Sequence, residues 1–368
     1  MNPMTEVSIP EGRVVVAMSG GVDSSVTAAL LHRDGWQVVG VSMRLYAAPV
    51  AEGKTCCTPD DLYDARNVAE TLGFPFYVAN YQDQFKQRVM DYFVDEYRRG
   101  RTPSPCVMCN DHLKFDILLQ RMQALGGSFL ATGHYAQIVD MGDRRALIRG
   151  ADPGKDQSYF LFGLRRESLD VIRFPLGHLT KPQVRELAGE LGLPVADKPE
   201  SQDICFIGKG DYADFVEARL SADELRPGNI VRKATGEVLG SHEGIHRFTA
   251  GQRRGLGIAF PEPLYVRGVD PVTGDVYVGT RDEISETRFE LERCNWLRWE
   301  VPPATFECTI QVRYRHRPVP AVVQVADPST GRAVVRLLQA EPGISRGQAA
   351  VFYDGNEVVG GGWIELVG

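Results

Sequence analysis

The residues most able to do chemistry are thiols. Seven cysteines lie in the 368 residues, and Cys106 and Cys109 form a C-x-x-C pair in "SPCVMCN". A pair at that spacing serves as a metal clamp, a redox couple, or a reactive thiol beside a bystander. Another thiol, Cys205, stands in "SQDICFIGKGDY", residues 201–212. The second chemical feature is "AMSGGVDSS", residues 17–25, where an apolar run gives way to a helix-like one. Gly20 and Gly21 permit a tight turn and let main-chain N–H groups approach an anion closely. Asp23 or Ser24 is expected to cap the following helix, whose N-terminus adds partial positive charge. This is the geometry of a pyrophosphate cradle. It is not a Walker A loop, which needs a lysine, nor the G-x-G-x-x-G of dinucleotide binders.

The elements that must position these groups change character along the chain. "RVVVAM", "WQVVGVSMRL", "FPFYVAN" and "SFLATGH" read as strands. Between them "SSVTAALLHRDG", "DLYDARNVAETLG", "FKQRVMDYFVDEYRRG" and "DHLKFDILLQRMQALG" read as helices. Such alternation predicts a parallel α/β sheet. From about residue 225 short β-rich runs recur between Gly-containing turns, as in "VDPVTGDVYVG" and "ADPSTGRAVVRLL". That texture predicts an antiparallel, barrel-like half. "VYVG" closes one unit near 280 and "RCNWLRW" opens the next near 293. The expected domains are 1–224, a small mixed or β central domain over 225–284, and a β domain over 285–368.

Bulk properties exclude several classes. No apolar run approaches the roughly 20 residues a membrane span needs, so no membrane partner is expected. The start "MNPMTEVSIPEGR" shows neither a signal-peptide nor a transit pattern, which predicts a cytoplasmic protein. Sparse cysteines, odd in number, argue for thiols, metal ligands or catalytic groups over a disulfide framework. The net charge of −7 argues against indiscriminate coating of nucleic acid while leaving room for local basic patches.

The string S-G-G-x-D-S after a first strand resembles the signature of the N-type ATP pyrophosphatases. Taken with "SPCVMCN", "TGHYA" (132–136), "GKDQSYFL" (154–161), "SQDICFIGKGDY" and "AGQRRGLG" (250–257), the chain resembles the tRNA-specific 2-thiouridylases over essentially its whole length. The resemblance implies a Rossmann-like ATP-pyrophosphatase domain, a small central domain and a C-terminal antiparallel β-barrel that binds tRNA. It implies replacement of oxygen by sulfur at position 2 of a tRNA wobble uridine, using ATP with Mg2+ and releasing AMP and pyrophosphate. Sulfur would come from a persulfide donor, a cysteine desulfurase or a sulfur-relay protein. By the same resemblance Ala17, Met18, Ser19, Gly20, Gly21, Val22, Asp23 and Ser24 bind ATP, with Met43 and Gly133 at the nucleotide. Cys109 matches the nucleophile and Cys205 the persulfide carrier. Lys155, Asp156 and Gln157 match one tRNA-contacting segment, and Arg313 with Tyr314 a second.

One departure stands out. The family commonly reads Asn-Pro-Asp-x-x-Cys-Asn, and here Cys106 occupies the aspartate position. Three readings stand for it: a replacement with little role, a third thiolate with Cys109 and Cys205 around an iron–sulfur cluster, or a zinc clamp or redox disulfide. A four-cysteine zinc site would add Cys56 and Cys57. Cys294 and Cys308 read as small buried hydrophobes. His134 reads equally as a nucleotide-site residue or a structural hydrogen bond. In "QVRYRHRP" a strand would align Arg313, Arg315 and Arg317 on one face for phosphates. Arg98, Arg99 and Arg101, beside the thiol loop, would add to the basic surface, and the loop itself is expected to order on tRNA binding. Two rival functions remain: another adenylating synthetase, which would not need the two thiols, and a non-catalytic Fe–S or Zn RNA-binding module, which would not need the pyrophosphate loop.

Overall fold

The computed structural model describes residues 12–46, 58–199, 204–207 and 210–367. The chain divides into two compact units, one of residues 1–85, 111–158 and 164–206, the other of 86–110, 159–163 and 207–368.

The first unit is built on strands β1 (Arg13–Ala17), β2 (Gln37–Arg44), β3 (Phe76–Asn80) and β4 (Phe129–Ala131), followed by a hairpin of β5 (Ala136–Asp140) and β6 (Arg145–Arg149), and by β7 (Ile172–Arg173). Five of these form a sheet in the order β3-β2-β1-β4-β7, with every neighbouring pair parallel. Val14, Val15 and Val16 of β1 are all buried, as a strand covered on both faces requires. Helices α1 (Val22–Arg33), α2 (Pro59–Leu72), α3 (Asp116–Ala124) and α4 (Lys181–Glu190) complete the unit. Thr58 and Asp61 start α2 with a reciprocal capping box, and Gly73 ends it in the left-handed conformation. β2 and β4 flank β1 on opposite sides, so the chain switches direction across the sheet at β1. In open α/β sheets that switch point, beyond the strands' C-terminal ends, is where ligands bind.

The second unit holds two sheets. β8 (Gly228–Arg232), β9 (Val238–His242), β10 (Tyr265–Val269) and β11 (Val276–Gly279) run in the order β10-β11-β8-β9, with β8 and β11 parallel and the other pairs antiparallel. The others are β12 (Ser285–Trp296), β13 (Thr305–Gln311), β14 (Val319–Asp327), β15 (Arg332–Pro342), β16 (Ala349–Asp354) and β17 (Glu357–Val367). They run in the order β12-β15-β14-β13-β16-β17, and pairing of β12 with β17 closes an antiparallel barrel. Closure removes the exposed sheet edges. The mixed central sheet and the closed barrel are the architecture expected of this half.

Three local expectations change. The barrel's first strand starts at Ser285, ahead of "RCNWLRW". The stretch expected to be a helix from 85 opens as a π-helical turn over Lys86–Asp91 before the α-helix Tyr92–Arg98. Most important, "QVRYRHRP" is not a strand: β13 ends at Gln311 and the chain turns, with Arg315 at φ +61°. Alternation therefore does not hold there, and the three arginines do not form a row.

The barrel interior packs Phe289, Leu291, Ile310, Val323, Val335 and Phe352, all buried. Trp296 stacks on Phe352 at 5.8 Å between ring centroids. Replacing this ring removes its contacts and leaves a void that the closed barrel cannot collapse around. Phe352→Ala is expected to lower unfolding free energy by about 3–5 kcal/mol, measured as a shift in the urea midpoint at unchanged slope.

Candidate active site

The loop between β1 and α1 lies at the switch point. The N-cap of α1 is Gly21, in extended conformation and without a side-chain cap. The expectation that Asp23 or Ser24 caps the helix is therefore corrected. Ser24 Oγ instead accepts from Ser19 N at 3.1 Å and donates to Gly21 O at 3.1 Å, which folds the loop on itself. Gly20 has φ +76°, and a Cβ there would collide with the Asp61 backbone. Gly133 packs as closely, since a Cβ would stand 2.9 Å from the Asp23 carbonyl carbon. Ala17, Met18 and Val22 carry the loop into its core, with Met18 and Val22 buried. Met43, on the neighbouring β2, is buried as well. Ala17–Ser24 and Gly133 thus come together in one place within the first unit.

Two lysines that sequence reasoning missed stand at this loop, each bonded to acids. Lys181 is buried, and its Nζ donates to Asp23 Oδ1 at 2.7 Å and Oδ2 at 2.9 Å. The Tyr135 hydroxyl donates to the same Asp23 Oδ1 at 2.7 Å. Lys198 Nζ donates to Gly20 O at 3.0 Å, to Asp61 Oδ1 at 2.6 Å and to Asp64 Oδ2 at 2.5 Å. Burial lowers the Lys198 pKa, and its bonds to Asp61 and Asp64 more than reverse this, so it is a fixed cation. The only local signal for Lys181 was its place in the first turn of a well-capped helix, where Gln183 Oε1 accepts from Thr180 N at 2.8 Å. A cation at a helix start, against the dipole, needs a tertiary partner. His134 makes a structural hydrogen bond, with Thr132 Oγ1 2.7 Å from its Nδ1, and burial together with the Lys114 charge pushes its pKa down to about 3.

The thiol segment belongs to the second unit. Pro105 opens the short helix Pro105–Cys109, which runs on into a π-helical turn. Cys106 is exposed and Cys109 buried. The preceding stretch is ordered by the barrel: Thr102 N donates to Arg346 O at 2.8 Å, Thr102 and Ser345 hydroxyls meet at 2.7 Å, and Gln348 Nε2 donates to Pro103 O at 2.9 Å. The expectation of a loop that orders only on RNA is not met, because these bonds and Arg101 already pin it. Arg101 pairs with Glu96 at 2.9 Å and Glu365 at 2.6 Å, and Arg98 with Asp95 at 2.6 Å and Glu224 at 2.9 Å. These two arginines are neutralised in place rather than offered to phosphate.

Cys205 lies half-buried in the first unit, in a turn anchored by buried Phe206, which meets Phe85 edge-on at 5.8 Å. Among the described residues no three His, Cys, Asp or Glu side chains group as a metal centre. Cys106 and Cys109 belong to the second unit and Cys205 to the first. Cys56 and Cys57 lie outside the described residues. Cys294 and Cys308 sit in β12 and β13, where burial pushes both thiols up to about 12, as inert packing groups. Sequence reasoning also passed over Asp111, which follows the thiol segment. Burial and the Asp116 charge push its carboxyl up to about 8.

The residues matched to tRNA contact fall in both units. Asp156 is spent on its own loop: it pairs with Arg149 at 2.7 Å and accepts from Gly150 N at 3.0 Å and Ser158 N at 3.1 Å. Gln157 Oε1 accepts from Tyr135 N at 2.9 Å, tying this loop to the residue that holds Asp23. Lys155 is half-buried beside them. In the second unit Tyr314 packs on Phe160 at 4.4 Å between rings, and Arg313 Nη1 reaches Pro342 O at 3.3 Å.

Three sequence profiles match the chain: a tRNA methyl transferase HUP domain over residues 12–209, a tRNA methyl transferase PRC-barrel domain over 213–280, and an aminomethyltransferase beta-barrel domain over 286–364. A protein of Geobacter metallireducens named tRNA-specific 2-thiouridylase MnmA is 52% identical over 360 residues, covering 96% of each chain. One of the same name from Maricaulis maris is 50% identical, covering 96% of this chain and 87% of its own. A solved 4-thiouridine synthetase–RNA complex with bound ATP aligns with 53% of this chain and 45% of its own at 18% identity and TM-score 0.36, too remote to bear on function. By sequence along nearly its whole length, the chain belongs to the tRNA-specific 2-thiouridylase family.

Proposed function

We propose that this protein is an ATP-dependent tRNA sulfurtransferase that converts a wobble uridine to 2-thiouridine in the cytoplasm. The observation that carries the reading is the uncapped loop at the sheet's switch point, joined to two cations, in a chain of this family. Main-chain N–H groups at the start of α1 suit the triphosphate of ATP, which brings Mg2+ with it, and Lys181 and Lys198 hold the loop through Asp23 and the Gly20 carbonyl. Residues 17–24, with Met43 and Gly133, are assigned to the nucleotide. Asp23 keeps the Lys181 ammonium aimed at the loop.

A uracil carbonyl oxygen is a poor leaving group. In the proposed reaction O2 of the uridine attacks the α-phosphorus of ATP and pyrophosphate leaves, so that O2 can depart later as AMP. The terminal sulfur of a Cys205 persulfide attacks C2, AMP leaves, and a disulfide joins C2 to Cys205 through that sulfur. The Cys109 thiolate attacks Cys205 Sγ, which releases the 2-thiouridine sulfur and leaves a Cys109–Cys205 disulfide for a dithiol reductant. A persulfide donor, a cysteine desulfurase or a sulfur-relay protein, reloads Cys205. Lys155, Asp156, Gln157, Arg313 and Tyr314 are assigned to tRNA. The amide-forming synthetase alternative leaves Cys109 and Cys205 without work, and the binding-module alternative leaves the pyrophosphate loop without work. Cys106 has no step in this scheme.

Protein incubated with ATP, a persulfide donor and unmodified tRNA is expected to yield 2-thiouridine on nucleoside mass spectrometry; absence of product with every component present refutes the reading. Cys205→Ser is expected to abolish thiolation while tRNA-dependent pyrophosphate release continues, and retained thiolation would rule out Cys205 as carrier. Gly20→Ala, which forces a Cβ onto the Asp61 backbone, is expected to weaken ATP binding at least tenfold, about 1.4 kcal/mol, by calorimetric titration at unchanged fold.

A further inference from the structure

A cavity of about 270 Å³ in the second unit is lined by Ala250, Gly251, Tyr265, Arg281, Arg313 and Gly343, together with Ile284 and Pro342. Two arginines and a tyrosine border it and no acidic residue does, in a protein whose net charge is −7. Arg281 is exposed, and none of the ion pairs among the described residues involves it. Arg313 is half-buried and has only two long bonds, to Pro342 O at 3.3 Å and Gly343 O at 3.5 Å. The nearby Glu341 turns its Oε2 to His316 Nε2 at 3.3 Å. Burial lowers the Arg313 pKa, and the Glu341 charge offsets part of that without bonding the guanidinium.

The cavity walls come from three connections, and their backbones are fixed. Gly251 and Gly343 both have positive φ, +86° and +73°, and a Cβ on either would stand 3.3 Å from the other's Cα. Gly251 N donates to Val266 O at 2.7 Å, which holds that loop against β10. Arg281 follows β11 and Arg313 follows β13, so the two cations project from the central sheet's end and the barrel's end. At this size the cavity falls below the roughly 300–1,000 Å³ of small-molecule sites. One phosphate with its waters fits better than a whole nucleotide. Arg253 and Arg254 are exposed in the same loop as Gly251.

We propose that Arg281 and Arg313 form a two-guanidinium pocket for a single phosphodiester of RNA, with Arg281 as a contact of its own. The proposal rests on tRNA being the substrate and goes beyond it by naming the group bound and the pocket that binds it. Bidentate guanidinium bonding suits a phosphate's paired oxygens, which an ammonium reproduces only as a point charge.

The test is the salt dependence of binding of unmodified tRNA by wild type, Arg281→Gln and Arg281→Lys, from 50 to 200 mM KCl. Removing one phosphate contact reduces the slope of log K against log[salt] by about 0.7–0.9. Arg281→Gln is expected to lose that much slope and roughly fivefold in affinity at 100 mM, while Arg281→Lys keeps most of the slope. An unchanged slope for Arg281→Gln overturns the pocket's role in RNA binding. A second arm compares thermal unfolding in inorganic phosphate and in chloride at equal ionic strength. Phosphate is expected to raise the midpoint of wild type more than that of Arg281→Gln, which keeps the loop between β1 and α1 as an anion site; equal shifts in both overturn the pocket as an anion site. Wild type that binds no tRNA would refute the thiolation reading, and the phosphate arm would still decide the pocket.

Discussion

A buried ammonium held against a carboxylate, Lys181 on Asp23, organises the first unit's chemistry. Leaving the buried Lys181 ammonium alone in this place would carry a desolvation penalty of several kcal/mol, so the pair ties α4 to the start of α1. Tyr135 bonds the same carboxylate, and Gln157 bonds the Tyr135 backbone. One ion pair thereby connects four segments far apart in sequence. A Walker A loop carries its lysine within its own helix; here a separate helix delivers the cation, and the loop can remain glycine and serine.

Lys198 makes a second connection of the same kind. It bridges the Gly20 carbonyl to two acids of α2, and it lies a few residues before Cys205. The loop between β1 and α1 and the end of the segment after α4 therefore share an anchor. The stretch ahead of Cys109 is held by different means, through bonds from residues 102 and 103 to the connection between β15 and β16. The β-barrel thus holds the thiol segment in addition to presenting basic side chains.

Much of this was legible in the sequence because its signals are local. Strand–helix alternation with unbroken apolar runs gave a parallel sheet, and Gly-containing turns between short β runs gave the barrel half. The S-G-G-V-D-S string carried its own requirements: a glycine at positive φ and a close backbone approach are properties of those residues. Cys294 and Cys308, read as small buried hydrophobes, are half-buried and pack against the barrel core. The misreadings share a cause. Asp23 looked like a helix cap because short acids usually cap, until Lys181 drew it away. Arg313, Arg315 and Arg317 looked like a strand face until the turn after Gln311 broke the alternation.

The sequence by itself determined the order of elements, the anion loop and the thiols available for sulfur chemistry, since periodicity and backbone freedom are encoded within a few residues. The tertiary structure alone decided which charges are compensated. Arg98 and Arg101 turn out to be paired with acids, Asp23 with a lysine from α4, and Arg281 and Arg313 with each other's cavity and no bonded acid. Electrostatic compensation depends on distances between segments that no local pattern records. The C-x-x-C spacing likewise resolves only in three dimensions, into an exposed Cys106 and a buried Cys109 on one short helix.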